Sequence, residues 1–549
     1  MRSKQVQRGQ IRNDGPRHVR SAGRAVNRIR LVSGALTVGV WTLLSRVLGF
    51  VRDILIAAWL GTGPVAEAFL VAFSLPNMFR RFFAEGAFNM AFVPLFSKKL
   101  EAGDDAGAFA RDAFSGLAFV LVIFTGLATV FMPWLVLAMA SGFQGDERFD
   151  IAVTLGRIVF VYILFISLAA LFSGVLNASG RFVAAAAAPV LLNIILIAVL
   201  ILANAGVGGS VIGDVDGGRA GTLLSFGVVL AGVAQLALVW WAAAKAGFPI
   251  RPRWPQMTPE LKRLAMIAAP AALAGGVVQV NLLIGRQVAS FFDGAIAWLS
   301  YADRLYQLPL GVVGIAIGIV LLPDLSRRLQ VDDIEGSRHA LSRATEMSLA
   351  LAVPSAVALA IIPVSLVSVL FERGAFEASD TKATALACAI YGLGLPAFIM
   401  QKVLQPLFFA REDTRRPFHY ALVAMVVNAV LAVGLAGVFG YIAAAIGTTV
   451  AGWAMLALLW RGSRGMGDAA VLEPQTITRI MRIVCTSAVM GLVLWVTDRF
   501  VLRFLLDGSG AFEIVGLVLL CLVGMASYFA SGVMLNAFNM AELRAAFRR

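Results

Sequence analysis

Residues 182–204 read FVAAAAAPVLLNIILIAVLILAN, 23 positions without a charged side chain. A helix of this length rises about 35 Å, which is enough to cross a bilayer core of about 30 Å. Similar apolar runs recur along the 549-residue chain, in which 59% of residues are hydrophobic and only 14% are charged. This composition excludes a cytosolic enzyme, and continuous rather than alternating apolar runs exclude a porin-type barrel. The sequence predicts an all-α, polytopic transmembrane bundle.

Fourteen apolar runs are predicted to cross the membrane. The loops after spans two, six, eight, ten and twelve are basic, whereas those after spans three, five and seven are acidic. Because basic loops stay on the cytoplasmic side, both termini are predicted to be cytoplasmic. The predicted spans are residues 33–60, 64–98, 109–140, 149–178, 182–204, 220–246, 260–292, 295–326, 340–371, 381–409, 417–438, 440–461, 476–503 and 511–535.

An internal repeat predicts how these spans are grouped. Residues 94–100 read PLFSKKL and residues 323–329 read PDLSRRL, at an offset of 229. Two six-span halves that share one orientation are typical of transporters whose substrate site lies between the halves. The predicted order is a basic cytoplasmic arm (1–32), an N-terminal half with spans one to six (33–247), a C-terminal half with spans seven to twelve (258–463), spans thirteen and fourteen (475–535) and a basic cytoplasmic tail (536–549).

The arm contains nine Lys or Arg residues and one acid, Asp14. It has no apolar segment before a cleavage site, so it is not predicted to be a signal peptide. We expect a solvated, disordered arm beside anionic lipid.

Charged side chains inside the spans are the candidates for function, because a charge in a bilayer is costly and usually faces a cavity. Two interpretations remain open at this point. The arginines could bind an anionic or phosphorylated substrate, since the guanidinium fork matches phosphate, or they could form structural ion pairs with the acids. The residues concerned are Arg46, Arg52 and Asp53 in span one, Glu67, Arg80, Arg81 and Glu85 in span two, and Asp303 and Arg304 in span eight.

Four segments that contain these residues resemble a known family. They are SRVLGFVRD at 45–53, LPNMFRRFFAEGAF at 75–88, AFVPL at 91–95 and YADR at 301–304. Over residues 33–540 the chain resembles the MurJ (MviN) family of bacterial lipid II flippases, within the multidrug/oligosaccharidyl-lipid/polysaccharide exporter superfamily. The resemblance implies a 14-helix protein with two six-helix lobes. It implies that the substrate is the undecaprenyl-pyrophosphate-linked peptidoglycan precursor, and that spans thirteen and fourteen form a groove for its prenyl tail.

The resemblance also implies roles for individual residues. The family's essential cavity arginines correspond to Arg46, Arg52, Arg80 and Arg304, and its acids to Glu67 (usually Asp in the family), Glu85 and Asp303; Asp53 completes the predicted substrate-binding set. Two departures are visible. Gln307 stands where the family has an acid on span eight, and the span-seven stretch NLLIGR at 281–286 lacks the acid of the sodium site that some members have. No bound metal is therefore predicted.

The predicted function is translocation of lipid II from the inner to the outer leaflet by alternating access. The alternative is export of another lipid-linked glycan. We expect no enzymatic activity and no cofactor, because nothing in the sequence resembles a nucleotide-binding loop and the spans supply no nucleophile or metal-binding acid cluster at a membrane face. The expected partners are the lipid-linked pyrophosphate, membrane lipids and cell-wall synthesis proteins, not nucleic acid. The expected location is the bacterial inner membrane.

Overall fold

The computed structural model describes residues 17–80, 87–204, 218–316, 322–331, 333–506 and 510–537. Within these ranges every regular element is helical. The predicted N-terminal half contains α1 (Arg17–Leu60), α2 (Pro64–Arg80), α3 (Ala87–Ala102), α4 (Ala106–Val130), α5 (Met132–Met139), α6 (Glu147–Val159), α7 (Tyr162–Ala178), α8 (Phe182–Asn204) and α9 (Gly218–Lys245).

The remaining α-helices belong to the predicted C-terminal half and to the segment after it. The half contains α10 (Pro259–Ala289), α11 (Ala295–Ala316), α12 (Leu322–Gln330), α13 (Ile334–Ile361), α14 (Pro363–Phe371), α15 (Ala378–Phe409), α16 (Arg415–Gly434), α17 (Ala436–Phe439) and α18 (Ile442–Ser463). The final segment contains α19 (Pro474–Val496), α20 (Arg503–Leu506) and α21 (Ala511–Met534), with a π-helical turn at Thr497–Val501 between α19 and α20.

Ten helical segments of the described chain are long and apolar enough to cross a membrane. This confirms the predicted all-α, polytopic class. The other four predicted spans fall on α1, α2 with α3, α10, and α11 with α12. Among these elements, α1, α2 and α11 carry candidate charged residues. The total of fourteen spans stays a prediction.

The N-terminal arm differs from the expectation. Helix α1 begins at Arg17, so residues 17–32 continue the first span instead of forming a disordered segment. The expectation of disorder was wrong for these residues. Extending an existing helix adds a hydrogen bond per residue without a new nucleation step, and Arg and Ala are good helix formers.

Two predicted spans are each divided into two helices by a proline. The span at 109–140 breaks at Phe131, and Pro133 lies in the first turn of α5. The span at 340–371 breaks at Ile362, and Pro363 is the first residue of α14. Proline lacks the backbone N–H that would continue the helix, but it is tolerated in the first turn of the next one.

Packing within each half is extensive, and a smaller set of helices joins the halves. In the N-terminal half α8 packs against α1 and α9, and α2 against α6; in the C-terminal half α15 packs against α11, α13 and α18. Helix α11 also contacts α1 and α2, and α10 contacts α3, α4 and α5 as well as α16 and α18. Helices α1, α2, α3, α10 and α11 therefore form most of the interface between the halves, and the candidate residues lie on α1, α2 and α11.

Candidate functional site

The carboxylate of Asp53 is shared by two arginines from different halves. Asp53 Oδ1 accepts a hydrogen bond from Arg52 Nη2 at 2.6 Å, and its Oδ2 lies 2.7 Å from Arg304 Nε. Arg52 and Asp53 are buried on α1, whereas Arg304 comes from α11 and exposes 41% of its side chain. Because α11 is enclosed by α1, α2, α13 and α15, this exposed surface faces the space between the helices. We call Arg52, Asp53 and Arg304 the Asp53 cluster.

A third helix holds Arg52 in place. Arg52 Nη1 donates to Asn193 Oδ1 at 3.0 Å, and Asn193 Nδ2 donates to the carbonyl of Ser45 at 2.9 Å. Asn193 belongs to α8 and is buried. The guanidinium is therefore positioned from two sides before any ligand binds, which reduces the ordering that binding would require.

Asp303 lies beside Arg304, as Asp53 does, but its hydrogen-bond donor is a different residue. The side-chain amide of Gln307, one turn later on α11, donates to Asp303 Oδ2. Arg286 on α10 and the adjacent Arg304 also attract this carboxylate. The departure from the family pattern at Gln307 thus supplies a neutral hydrogen-bond donor to Asp303, where a second acid would have repelled it.

Arg46 lies on α1 and is exposed. Its guanidinium rests against Gly311 of α11, where an added Cβ would lie 2.6 Å from Arg46 Cζ. Within the described chain no carboxylate is at ion-pair distance from Arg46. This arginine therefore reaches the C-terminal half without charge compensation from any described residue.

The two remaining candidates lie at the end of α2. Arg80 is half-buried and is the last described residue of that helix. Glu85 lies outside the described residues, as does Arg81.

Glu67 lies in a different place from the Asp53 cluster, among the turns that join the two halves. It is 1% exposed and accepts hydrogen bonds from Arg148 Nη1 and from the backbone N–H of Ile296, both at 2.9 Å. Arg148 also pairs with Asp146 at 2.5 Å and with Asp293 at 2.9 Å. Burial alone would raise the pKa of Asp146, but its hydrogen bonds with Arg148 outweigh burial and lower that pKa.

A second group of contacts joins the same ends of the halves. Asp380 Oδ1 accepts hydrogen bonds from Thr62 Oγ1 at 2.7 Å and from Trp298 Nε1 at 2.8 Å. The backbone N–H of Ala375 donates to the carbonyl of Ala58 at 2.8 Å. We call the contacts among residues 58–67, 137–148, 287–298 and 375–380 the turn seam.

The turn seam is approximately two-fold symmetric. The ion pair between Arg148 and Asp293 corresponds to the hydrogen bond between Asp380 and Thr62. Asp380 lies 232 residues after Arg148, and Asp293 lies 231 residues after Thr62. The same offset relates two close backbone approaches: Gly142 against Ser290, and Gly374 against Ala58. Any Cβ at either glycine would collide with the opposing carbonyl, and Gly374 also has a φ of +62°. The offset is close to that of the sequence repeat.

Three charged residues of the site and the turn seam were not predicted from the sequence: Arg148, Asp380 and Lys402. Arg148 and Asp380 lie at the first turns of apolar helices, where a charge is easily read as part of a loop. Lys402 left a clearer signal, since it is the one charged residue between Lys382 and Arg411. A systematic search for single charges within apolar runs would have found it.

Within the described ranges, no group of three or more His, Cys, Asp or Glu side chains is arranged to hold a metal ion.

Comparison with known proteins identifies the family. Residues 56–515 match the profile of the family described as lipid II flippase MurJ. The chain belongs to the MurJ family. A probable lipid II flippase MurJ from Rhizobium meliloti (strain 1021) is 44% identical over 530 residues, covering 94% of this chain and 96% of the relative. One from Rhizobium tropici is 43% identical over 525 residues, covering 94% and 97%.

Solved structures agree on the fold. A structure of lipid II flippase MurJ in an inward closed conformation superposes with a TM-score of 0.74 at 23% identity, covering 91% of this chain and 98% of that one. An inward-facing multidrug transporter of the MATE family gives 0.59 at 15% identity, covering 77% and 95%. Membership of the MurJ family makes the chain a multi-pass inner-membrane transporter, and not an enzyme.

Proposed function

We propose that this chain translocates lipid II, the undecaprenyl-diphosphate-linked peptidoglycan precursor, from the inner to the outer leaflet by alternating access. The observation that carries the proposal is the Asp53 cluster, in which arginines from both halves meet on one carboxylate. Guanidinium groups are suited to diphosphate, and here they lie on the surfaces that must separate and meet during transport. The family match and the relatives' names support the same substrate.

The substrate-binding set is Arg46, Arg52, Arg80 and Arg304, with Asp53, Glu67, Glu85 and Asp303 as acids. Within it, Arg52 and Arg304 act through the Asp53 cluster, where a bound diphosphate competes with Asp53 for the two guanidinium groups. Such competition lets the diphosphate bind the two conformations with different affinity, which a shift between them requires. Glu67 contributes through the turn seam, by holding Arg148 and the start of α11.

Alternating access requires the turn seam to open when the substrate leaves. With both termini in the cytoplasm, as the basic loops indicate, the seam lies at the periplasmic ends of the halves. The prenyl tail stays in lipid, and its proposed groove is the outer face of α19 and α21, which pack on α13 and α14. The two halves, 33–247 and 258–463, move relative to one another, and cell-wall synthesis proteins are proposed partners that use the flipped lipid.

The test is leaflet accessibility of the lipid-linked precursor in host cells depleted of this protein. A membrane-impermeant enzyme that cleaves only outward-facing precursor reports the flipped fraction. Depletion should lower the cleavable fraction while total precursor rises. The wild-type chain and Arg251→Ala, an exposed arginine in the connecting segment, should restore cleavage, whereas Arg52→Ala should not.

Unchanged cleavage after depletion would contradict the proposal in that host. Purified protein in vesicles, supplied with lipid II or with another lipid-linked glycan, then separates the proposed substrate from the alternative. Transport of the other glycan without transport of lipid II would replace the proposed function by the alternative exporter function.

A further inference from the structure

Lys402 is a charged residue within a membrane-spanning helix, and it does not belong to the Asp53 cluster. It lies in α15, in the segment Ala378–Phe409 that is apolar enough to cross a bilayer. At 1.5 Å per residue it is about 10 Å from the end of α15 at Phe409. Its side chain is exposed, and within the described chain no carboxylate lies at ion-pair distance. An uncompensated ammonium at this depth is costly unless it lines a polar space.

The position of Lys402 relative to α11 shows which space it lines. A Cβ added to Gly314 would lie 3.5 Å from Lys402 Nζ, so the ammonium group sits beside this glycine. Arg46 rests against Gly311, three residues earlier. Residues three apart are neighbours on one face of a helix. Arg46 from α1 and Lys402 from α15 therefore converge on the same face of α11.

The charges on this face are both positive. Arg46 and Lys402 are close enough to repel each other. The two glycines place no side chain on this face of α11, so the Arg46 guanidinium and the Lys402 ammonium lie directly beside its backbone. The opposite arrangement holds at Arg52 and Arg304, where Asp53 already compensates the positive charge.

We propose that Arg46 and Lys402 form a second anion subsite over the Gly311–Gly314 face, which takes one phosphate group of the diphosphate lipid. The inference rests on the proposed function and adds a residue of the C-terminal half to the binding set. An anion between the two cations removes their repulsion and draws α1 and α15 toward α11. The subsite thereby couples the presence of the headgroup to the approach of the two halves.

The test is binding of lipid II to the full chain in nanodiscs, with inorganic pyrophosphate as a soluble competitor. Lys402→Met keeps the length of the side chain without its charge, Lys402→Arg keeps the charge, and Lys382→Met is the matched control on the same helix. Loss of a charge-assisted hydrogen bond should weaken lipid II binding by about 10- to 100-fold in Lys402→Met. Lys402→Arg and Lys382→Met should stay within a few-fold of wild type, and pyrophosphate should lose affinity in parallel with lipid II.

The outcomes separate this inference from the proposed function. If the wild-type chain binds no lipid II, the proposed function fails. If it binds lipid II and Lys402→Met binds equally well, the function stands and the subsite is wrong. Loss of lipid II affinity with unchanged pyrophosphate affinity would also overturn the subsite, because Lys402 would then act away from the phosphates.

A folding control completes the design. Ligand-free Lys402→Met should melt at or above the wild-type temperature, since the substitution removes a repulsion and an uncompensated charge. A clearly lower melting temperature would identify Lys402 as a structural residue and overturn the inference. In the double variant Arg46→Ala/Lys402→Met, the loss of binding free energy should differ from the sum of the losses in the two single variants, because both side chains contact one phosphate.

Discussion

The turn seam and the Asp53 cluster both join the two halves, but they balance charge in opposite ways. In the seam a single buried cation, Arg148, is surrounded by Glu67, Asp146 and Asp293. In the cluster a single carboxylate, Asp53, serves two arginines. The carboxylates of the seam therefore outnumber its one cation, whereas the arginines of the cluster outnumber its one carboxylate.

This difference indicates what each region does in the empty protein. The seam satisfies its buried groups from within the chain, so it can stay closed without a ligand. The cluster, together with Arg46 and Lys402, gains most from an added anion. A transporter that is closed at one end and positively charged between its halves is ready to receive a diphosphate lipid.

The largest effect on transport is expected when the turn seam is prevented from opening. A Thr62→Cys/Asp380→Cys pair, in a background without Cys388, Cys485 and Cys521, places two thiols where side chains now share a hydrogen bond. A short thiol cross-linker should reduce lipid II transport in vesicles to the background rate, and cleavage of the linker should restore it. Each single cysteine variant treated with the same reagent is the control. Full transport by the cross-linked protein would show that the seam does not open.

Removing the seam's cation should have the next largest effect, this time on stability. Arg148→Met leaves Glu67 buried without its partner, which costs about 3–5 kcal/mol for a buried pair. Denaturant or thermal unfolding in detergent measures the loss. Asp293→Asn is the control, because Asp293 exposes 92% of its side chain and should contribute little. Equal stability of Arg148→Met and wild type would mean that the seam does not depend on this network.

Neutralising the cluster's acid should affect stability and binding in opposite directions. Asp53→Asn removes the charge that Arg52 and Arg304 share, so the ligand-free protein should lose about 1–3 kcal/mol. The freed guanidinium groups should then bind lipid II several-fold more tightly, since no carboxylate competes. Melting curves with and without lipid II measure both effects. Weaker binding than wild type would show that Asp53 helps to hold the ligand and does not compete with it.

The smallest expected effect comes from two neighbouring glycines. Gly311→Ala pushes a methyl group into the Arg46 guanidinium, which can swing away because it is the end of an exposed side chain. Lipid II affinity should fall a few-fold with little change in stability. At Gly314→Ala the nearest atom is 3.5 Å away, which is an ordinary contact distance, so affinity should fall less than in Gly311→Ala and the helix should be slightly more stable. An equal affinity loss in both variants would remove the distinction between the two positions.

Much of the fold was predictable from the sequence because membrane insertion depends on local composition. A run of about 20 apolar residues needs no partner to be recognised as a span, and the described chain confirms an all-α polytopic protein. The resemblance carried by residues 45–53, 75–88 and 301–304 identified the family that the comparisons show. The residues proposed for the site were also chosen from sequence, because a charge within an apolar run stands out wherever its partner lies.

The partners of those charges were decided by the tertiary structure. The sequence left open whether the arginines form structural ion pairs or bind an anionic substrate. In the structure Arg52 and Arg304 are ion-paired through Asp53, whereas Arg46 contacts a glycine. Glu67 contacts the backbone of Ile296, which is 229 residues away in the chain. Such pairings depend on how the two halves are packed against each other. Hydropathy and spacing describe neighbours along one helix, so they identify the charged residues but cannot reveal what each one faces.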